Sequence, residues 1–479
     1  MDQQIIKQII YASEKYGIQH IIGLNGKYLS KFYEDVVFFN VNERKIGGIE
    51  RSGYYRYPSF LLKSLLYFVV TFLSSIKVYK YTKRIKFKET TLNRVIYVSA
   101  AFKIVKARNL RDLLPGSSLY YYPLSDMSYI GNHISTFNSI NQSLYVDRFK
   151  IRFVFKTFVR FIRNYKKLLL FSKEIDSIFE TKYNDAIVLL LKSIYASIHY
   201  ESFSKKLKLR QHVWLLEYQT GVEMLALQCS IKKERPLDIT IHMQHGTMLD
   251  PRVIAYNDPI TDYDIVCGER EVRILSEMNR FQSKLLGLGC PLQSMGYIRE
   301  SSLASIKYDV LVLLTEANKQ STLNCQATIL SKLGKQEGLK VLLRFRPASK
   351  TEDHRKLLPY IKNMDISNGT ALDEDISLSN IVVTFSADAL YHCFRQGRKS
   401  VLVVHEKYIE EEFNKSHIQS NNLKVLYYDL FDIASLYNMM SKRETIDYRT
   451  DAYVKFNFGN IDTISYKHEL EAFLSSISC

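Results

Sequence analysis

Short apolar runs rich in Val, Ile and Leu recur from residue 212 into the last third of the chain, and stretches with helical periodicity separate them. Continuous apolar strands are typical of sheets that are buried on both faces, and helices between such strands make neighbouring strands parallel. The pattern therefore predicts an α/β fold with parallel sheets. The predicted strands lie at residues 212–217, 237–243, 308–314, 340–345, 380–385 and 399–404.

The length of the chain sets the number of domains. At roughly 100–200 residues per domain, 479 residues predict two or three domains, and two domains with a cleft are the usual solution. The polar stretch from residue 296 to residue 307 interrupts the alternation of strands and helices. We therefore expect an N-terminal domain at 1–296, a C-terminal domain at 307–460 and a terminal helix at 461–479.

The balance of charges points to an anionic partner. Lys and Arg number 66 against 49 Asp and Glu, and a net charge of +17 attracts nucleic acid, anionic lipid or a phosphorylated substrate. Net charge alone does not choose among these partners. Because no helix-turn-helix, RNA-binding sheet motif or zinc finger accompanies the charge, we expect no nucleic-acid partner.

Composition also indicates the cellular compartment and excludes some classes of protein. An apolar share of 46% excludes disorder. The six cysteines stand singly, which favours a reducing compartment over a disulfide or zinc scaffold. The first residues, MDQQIIKQII, lack the basic start and apolar core of a signal peptide, so we expect a cytoplasmic protein.

Two segments combine apolar and basic residues. Residues 59–76 are mostly apolar and precede a run of lysines, and they suit either a buried helix or a helix that inserts into a membrane. Residues 148–171 suit either a helix on an anionic membrane surface or a core helix with a basic solvated face. On that helix Phe153 and Phe155 lie off the apolar side. The basic side would carry Arg152, Lys156, Arg160, Arg163 and Lys167.

A histidine follows the predicted strand at 237–243, at the edge of a parallel sheet where ligands bind. His245 is a candidate general base or donor to phosphate oxygens, and the alternative is a structural histidine. Gly246 lets the backbone approach a ligand closely, and Thr247 completes the loop. We include all three residues in the candidate site.

Two later strands also end in polar residues. Arg344 and Arg346 share one face of the strand at 340–345, and an arginine there offers a rigid fork for phosphate. Ser386 precedes a helix that begins with Ala387 and Asp388, so its hydroxyl and the first N–H groups face whatever sits at the start of that helix. A surface arginine and a plain helix cap are the alternatives.

Four carboxylates remain as candidates. Glu217 ends a strand and is placed to take a proton from an acceptor hydroxyl, whereas Glu374 lies in an acidic run and could hydrogen-bond a ribose. Asp262 and Asp264 have an acid-x-acid spacing, but Asp264 begins a strand, and we predict neither a metal site nor a cofactor.

The order of these features resembles the bacterial surface-polysaccharide glycosyltransferases of the GT-B fold, which make capsule and O-antigen. That broad group includes bacterial sialyltransferases and CDP-glycerol glycerophosphotransferases. The similarity covers roughly residues 211–405 and implies two Rossmann-like domains with parallel sheets facing a central cleft. It rests on a Gln-His-Gly loop at Gln244, a Gly-Glu pair at Gly268, a Gly-x-Pro linker at Gly289, a Gly-Tyr pair at Gly296, a strand that ends before Pro347 and a strand that runs into Ser386.

The resemblance also implies roles for single residues. Glu217, with Gly221, stands near an acid-acid-Gly motif that holds the catalytic base, and His245 would contact the reacting phosphate or the acceptor. Glu374 would hold the ribose of the donor, and Ser386 would hold its phosphate.

The chain departs from the group at three positions. Arg346 replaces the expected His before Pro347, Ala387 replaces a second Ser or Thr, and LEYQTG is not a clean acid-acid-Gly triplet. These departures leave the donor sugar open. An arginine at 346 would still neutralise the phosphate of the leaving nucleotide.

The leading hypothesis is a metal-independent glycosyltransferase that works at the inner face of the plasma membrane. It would move a sugar from a nucleotide-activated donor, CMP- or UDP-linked, to a growing surface polysaccharide or a lipid-linked glycan. An alditol-phosphate transferase with a CDP-alditol donor is the alternative within the same fold. A hypothesis of another class is a basic adaptor that binds membrane or nucleic acid.

Overall fold

The computed structural model describes the second half of the chain almost continuously and the first half in part. In the stretches 8–21, 65–69 and 191–209 the structure describes only some of the residues, and it also describes residues 228 and 249. The described ranges are 94–99, 118–121, 144–146, 151–178, 211–217, 230–244, 261–277, 283–290, 306–315, 320–346, 355–441 without 362, 370 and 417, and 446–477.

The chain divides into two compact units whose segments alternate. The first unit is formed by residues 1–243, 252–264 and 278–284, and the second by residues 244–251, 265–277 and 285–479. The chain therefore passes from one unit to the other five times. The predicted boundary between 296 and 307 falls largely in residues 291–305, which lie outside the described residues, so the domain limits stay a prediction.

The first sheet has seven strands. They are β1 (Val95–Ser99), β2 (Ser118–Tyr121), β3 (Leu144–Val146), β4 (Val213–Glu217), β5 (Ile239–Met243), β6 (Tyr263–Ile265) and β7 (Lys284–Leu286). Their order is β3-β2-β1-β4-β5-β6-β7, and the neighbouring pairs from β1 to β5 run parallel. Trp214 and Leu216 of β4 pack with Ile96 and Val98 of β1 in the core of this sheet.

Two helices follow β3 in sequence, α1 (Ile151–Arg163) and α2 (Tyr165–Ile178). Phe161 of α1 is buried and meets the ring of Tyr165 edge to face, with centroids 5.7 Å apart. Phe68 packs against Phe158 and Phe161, with centroids 5.1 and 5.6 Å away. Within the described part of the chain, no helix combines the length and the apolarity that a membrane crossing requires. Most of the apolar segment 59–76 lies outside the described residues.

A buried polar network closes the amino ends of β4 and β5. The Asp238 carboxylate accepts hydrogen bonds from the backbone N–H of His212 (2.9 Å), the indole N–H of Trp214 (2.8 Å) and Nε of Arg235 (2.7 Å). Arg235 Nη2 lies 3.1 Å from His212 Nδ1. Burial lowers the pKa of His212, so the neutral ring accepts a hydrogen bond from the guanidinium. The network therefore holds the starts of two strands together.

The second sheet has six strands. They are β8 (Tyr308–Leu313), β9 (Val341–Arg344), β10 (Asp365–Ile366), β11 (Ser379–Thr384), β12 (Lys399–Val404) and β13 (Leu423–Tyr427). Their order is β10-β9-β8-β11-β12-β13, and every neighbouring pair runs parallel. All residues of β11 and β12 are buried, as their continuous apolar runs predict. The predicted α/β class with parallel sheets is confirmed.

Helices cover both faces of the second sheet. They include α4 (Gln320–Gly334), α5 (Leu372–Ser377), α6 (Ala387–Arg395), α7 (Lys407–Asn414) and α8 (Ile433–Met440). Ile329 of α4 and Leu436 of α8 belong to the core that includes Val312. Ile376 of α5 and Cys393 of α6 belong to the core on the other face of the sheet, which is lined by the alternate residues of the strands. Burial on both faces explains the apolar runs of the central strands β8, β11 and β12.

Three further helices belong to the second unit, and close backbone packing joins the start of the first to the end of the second. These are α3 (Glu269–Glu277), α9 (Ala452–Phe458) and α10 (Thr463–Ser476). Gly459 has a φ of +65°, and a Cβ there would stand 2.0 Å from the carbonyl oxygen of Cys267. Gly289, with a φ of +114°, forms an isolated antiparallel bridge with Gly459. A Cβ on Gly268 would meet the backbone of α9 at 2.6 Å. Gly268 and Gly289, two residues of the resemblance, thus have a packing role.

Candidate functional site

Polar residues from four neighbouring strands follow one another at the carboxyl ends of the second sheet. We call this set the carboxyl edge: Thr315 after β8, Arg344 and Arg346 at and after the end of β9, Ser386 after β11 and His405 after β12. β8 and β11 are neighbours whose onward connections leave in opposite directions. A parallel sheet binds its ligand at such a switch point, so this edge is the candidate site.

The start of α6 lies at the switch point. Ser386 occupies the N-cap position in an extended conformation, and its side chain makes no capping hydrogen bond. Its backbone N–H donates to Thr384 Oγ1 at 3.1 Å. Ala387 is buried and Asp388 stands in the first turn. By contrast, aspartate side chains cap three other helices of this unit, Asp432 for α8, Asp451 for α9 and Asp462 for α10. An anion therefore finds N–H groups to bind more readily at the start of α6 than at the starts of α8, α9 and α10, where a carboxylate already accepts from the first turn.

The two arginines of β9 have different environments. Arg344 Nη1 donates to Asp375 Oδ2 at 2.5 Å, and the same oxygen accepts from Ser367 Oγ at 2.7 Å. Asp375 is buried, so this ion pair fixes Arg344 against α5. Arg346, two residues later, is exposed. Arg346 is the better placed of the two to meet a ligand, and donor binding by Arg344 stays a prediction.

The acidic run before β11 forms the short helix α5, and each of its three acids has its own surroundings. Asp373 Oδ1 lies 2.8 Å from His392 Nδ1 of α6, and Asp375 holds Arg344. Glu374 points its exposed side chain to solvent. Contact between Glu374 and a ribose stays a prediction.

His405 was not among the residues that the sequence singled out. It follows β12 directly, beside the start of α7, and its Nε2 lies 3.4 Å from Glu406 Oε1. The register places Leu402 of β12 beside Thr384 of β11, so His405 continues the edge next to Ser386. The signal in the sequence was a histidine at the end of a Val-rich strand, the same signal that identified His245.

A buried glutamine positions the residue after β8. Gln326 of α4 donates from Nε2 to the carbonyl oxygen of Thr315 (3.1 Å) and to its Oγ1 (3.0 Å). Because Oγ1 accepts this bond, the hydroxyl proton of Thr315 points elsewhere and can serve as a donor. Nothing in the sequence distinguished Gln326, since its partner lies eleven positions earlier in the chain.

The candidates that follow the first sheet are described only in part. Glu217 is the last residue of β4 and pairs in register with Met243. His245, Gly246 and Thr247 lie outside the described residues. The residue before them is held in place, because the Gln244 backbone N–H donates to the carbonyl oxygen of Ile265 at 2.9 Å and the Gln244 carbonyl oxygen accepts from Cys290 Sγ at 3.1 Å. The roles assigned to Glu217 and His245 stay predictions.

The acid-x-acid pair is engaged by protein side chains. Asp262 forms an ion pair with Lys232 and accepts from the Thr240 backbone N–H at 2.7 Å. Asp264, buried in β6, lies 2.5 Å from His242 Nδ1. Among the residues that the structure describes, no group of His, Cys, Asp and Glu has the arrangement of a metal site.

Two cysteines near the second sheet are unsuited to nucleophilic chemistry. Burial raises the pKa of the Cys325 thiol to about 12, and burial does the same for Cys393 of α6. A thiol acts as a nucleophile only as the thiolate. Hydroxyl, imidazole and guanidinium groups are therefore the groups that the carboxyl edge offers for chemistry.

Strand order, parallel pairing and helices on both faces define the second unit as a Rossmann-like α/β domain. No family model and no curated protein matches the chain. Solved structures do match it. UDP-N-acetylglucosamine 2-epimerase from Rickettsia bellii is 11% identical, with a TM-score of 0.48, over 81% of this chain and 97% of that chain.

Two further matches have similar coverage. UDP-GlcNAc 2-epimerase from Neisseria meningitidis, solved with UDP-GlcNAc bound, is 10% identical with a TM-score of 0.46, over 80% of this chain and 99% of that chain. The glycotransferase of kitacinnamycin is 11% identical with a TM-score of 0.38, over 80% and 99%. Identities this low carry no information about substrate, so the function must be inferred from the residues of this chain.

Proposed function

We propose that this chain is a glycosyltransferase that moves a sugar from a nucleotide-activated donor to a glycan, with the donor phosphates bound at the carboxyl edge. The observation that carries the proposal is the start of α6, where no side chain caps the first turn at the switch point of the sheet. Helix N-termini bind phosphates through their N–H groups. Arg346 and His405, which follow strands on either side, supply the donors that a pyrophosphate or nucleotide α-phosphate needs.

The transfer joins the acceptor oxygen to the anomeric carbon of the sugar and breaks the bond from that carbon to a phosphate oxygen of the nucleotide. The proton of the acceptor hydroxyl moves to a base, and we assign this role to Glu217. His245 contacts the reacting phosphate or the acceptor. Arg346 stabilises the negative charge that grows on the leaving phosphate, so the proposed reaction requires no metal ion.

The finer assignment follows the resemblance of residues 211–405. It makes the donor a CMP- or UDP-linked sugar and the acceptor a surface polysaccharide or lipid-linked glycan. The alternative within the fold transfers an alditol phosphate from a CDP-alditol. Product analysis separates the two, because the first leaves a glycosidic bond and the second a phosphodiester.

A thermal-shift screen of the full chain against CMP, CDP, UDP, GDP and their sugar conjugates tests the proposal. A ligand at about 100 times its Kd stabilises the folded state by about 2.7 kcal/mol, which raises the Tm by several degrees. We expect one nucleotide base to stabilise the wild type and Arg346→Ala to lose most of that effect. Lys335→Ala is the matched control, because Lys335 is an exposed cation that directly follows the last residue of α4 and is not part of the carboxyl edge.

Two outcomes would contradict the proposal. One is the absence of a shift with every nucleotide, which would favour the adaptor hypothesis. The other is full nucleotide binding in the Arg346→Ala variant, which would place the donor elsewhere. Under the proposal, His245→Ala abolishes transfer while the variant keeps the melting temperature of the wild type.

A further inference from the structure

The solvent face of α1 carries two large apolar side chains among cations. Phe155 is 65% exposed and Ile162 is 46% exposed, and they lie seven residues apart, two turns along one side of the helix. Arg152, Lys156 and Arg163 are exposed beside them. The helix, IRFVFKTFVRFIR, contains no acidic residue.

The opposite face of α1 already forms a complete packed surface. Phe153, Val154, Thr157 and Phe161 are buried there, and Phe153 is 1% exposed. Phe155 and Ile162 are therefore not members of the core. Single exposed apolar residues are ordinary on protein surfaces, but a pair two turns apart within a basic face has the composition of a membrane-surface helix.

The neighbouring helix extends the same chemistry. Leu170 of α2 is exposed, and so are the three lysines Lys166, Lys167 and Lys173. The Glu174 carboxylate of α2 pairs with Lys15 at 3.4 Å, so this acid is already neutralised.

A second segment presents apolar side chains next to α1. Phe68 packs on Phe158 and Phe161, which attaches the helical residues around it to the inner side of α1. Leu65 and Val69, one turn apart, are 42% and 53% exposed. These two side chains add exposed apolar area close to α1, and they come from a different segment of the chain.

We propose that the exposed face of α1, with the adjoining lysines of α2, is a docking surface for an anionic lipid bilayer. Phe155 and Ile162 insert among the acyl chains near the headgroups, and the cations meet the lipid phosphates and carboxylates. A bilayer satisfies both parts of this surface, whereas a duplex nucleic acid would meet the cations and leave the aliphatic Ile162 in water. The inference does not depend on the proposed transferase activity.

A tryptophan reporter tests insertion directly. The chain contains one tryptophan, Trp214, and its side chain is fully buried. In the Phe155→Trp variant we expect the emission to shift to shorter wavelength when phosphatidylserine-containing vesicles are added, and brominated lipids should quench it. The wild type, with Trp214 alone, provides the baseline. Emission that does not respond to vesicles would overturn the proposal.

Vesicle co-sedimentation of the full chain tests both parts of the surface. We expect binding to phosphatidylcholine vesicles that contain phosphatidylserine, and little binding without it. Phe155→Ser should weaken binding about tenfold, because burial of such a side chain is worth that factor or more. Lys156→Glu should weaken binding more than fivefold, and added salt should weaken it further.

Matched controls lie on the second unit. Ile464→Ser removes an equally exposed apolar side chain, and Lys335→Glu reverses an exposed cation, so neither should change vesicle binding. Equal losses in the variants and the controls would contradict the proposal. Tighter binding to nucleic acid than to vesicles, with no effect of Phe155→Ser, would also overturn it. The thermal shift with nucleotide should be the same in Phe155→Ser as in the wild type. This measurement therefore distinguishes a loss of vesicle binding from a loss of the proposed donor site.

Discussion

Arginine and histidine occur together in two regions of this molecule, and the regions differ in how deeply these side chains are buried. At the amino ends of β4 and β5, Asp238 accepts three hydrogen bonds, and His212 is completely enclosed. At the carboxyl edge, Arg346 is exposed and Ser386 leaves the start of α6 without a side-chain cap. The same residue types stabilise the fold in the first region and are accessible to a ligand in the second. Burial separates the two roles.

The largest effect is expected in the buried network. Asp238→Ala leaves Arg235 and the indole of Trp214 without their shared acceptor, and loss of one partner of a buried ion pair costs about 3–5 kcal/mol. Urea unfolding of the full chain measures this loss. The control is Asp447→Ala, which removes an exposed partner of Arg449 and should cost about 1 kcal/mol or less. Equal losses in the two variants would mean that burial does not set how much such an ion pair contributes to stability.

A smaller effect is expected at the start of α6. Ser386→Asp places a negative charge at the N-terminus of the helix, which stabilises such helices by about 0.3–1 kcal/mol. The same charge repels a donor phosphate, so this variant should be more stable and lose nucleotide binding. Ser386→Asn, which caps without a charge, is the matched control and should retain part of the binding. If Ser386→Asp binds nucleotide as the wild type does, the phosphate does not sit there.

The smallest effect concerns pH. Burial lowers the pKa of His212 in the folded state, so below pH of about 6.5 the unfolded chain takes up a proton that the folded chain resists. This histidine therefore makes the protein less stable as pH falls through that value and has no effect above it. His212→Gln should lose less stability than the wild type between pH of about 7 and 5. Urea unfolding at both pH values measures the difference, and equal slopes would mean that His212 titrates normally.

Four strands of the second sheet, β8, β9, β11 and β12, could be predicted because burial requires continuous apolar runs, and those runs are visible in the sequence. The two edge strands, β10 and β13, are at least partly exposed, lack such runs and were not predicted. Some of the strand-end residues, such as Ser386, could also be predicted, since the edge of a parallel sheet is fixed by its topology, but His405 was missed. The partner of Arg344 could not be predicted. Asp375 lies 31 positions away, and only the folded chain shows that it, rather than Glu374, faces the arginine.

Helix α1 shows a second limit of the pattern. Phe153 and Phe155 both fall off the predicted apolar side, yet the fold buries the first and exposes the second. A helix that contacts neighbours on more than one side has a packed face wider than its apolar stripe, and the width depends on those neighbours. The sequence therefore predicted a basic face on α1 but left open which aromatic residue would join it.

The five passages of the chain between its units have a practical consequence for anyone who wants to study one unit alone. Helix α3 belongs to residues 265–277, and its buried Arg270 lies over the ring of Phe413, 3.7 Å from the centroid, while Arg273 pairs with Glu412 at 3.1 Å. A fragment that stops at residue 296 would carry both arginines and none of these partners. Half-chain expression and split-protein reporters with one cut are therefore poor designs, and tags or insertions should leave all 479 residues in one piece.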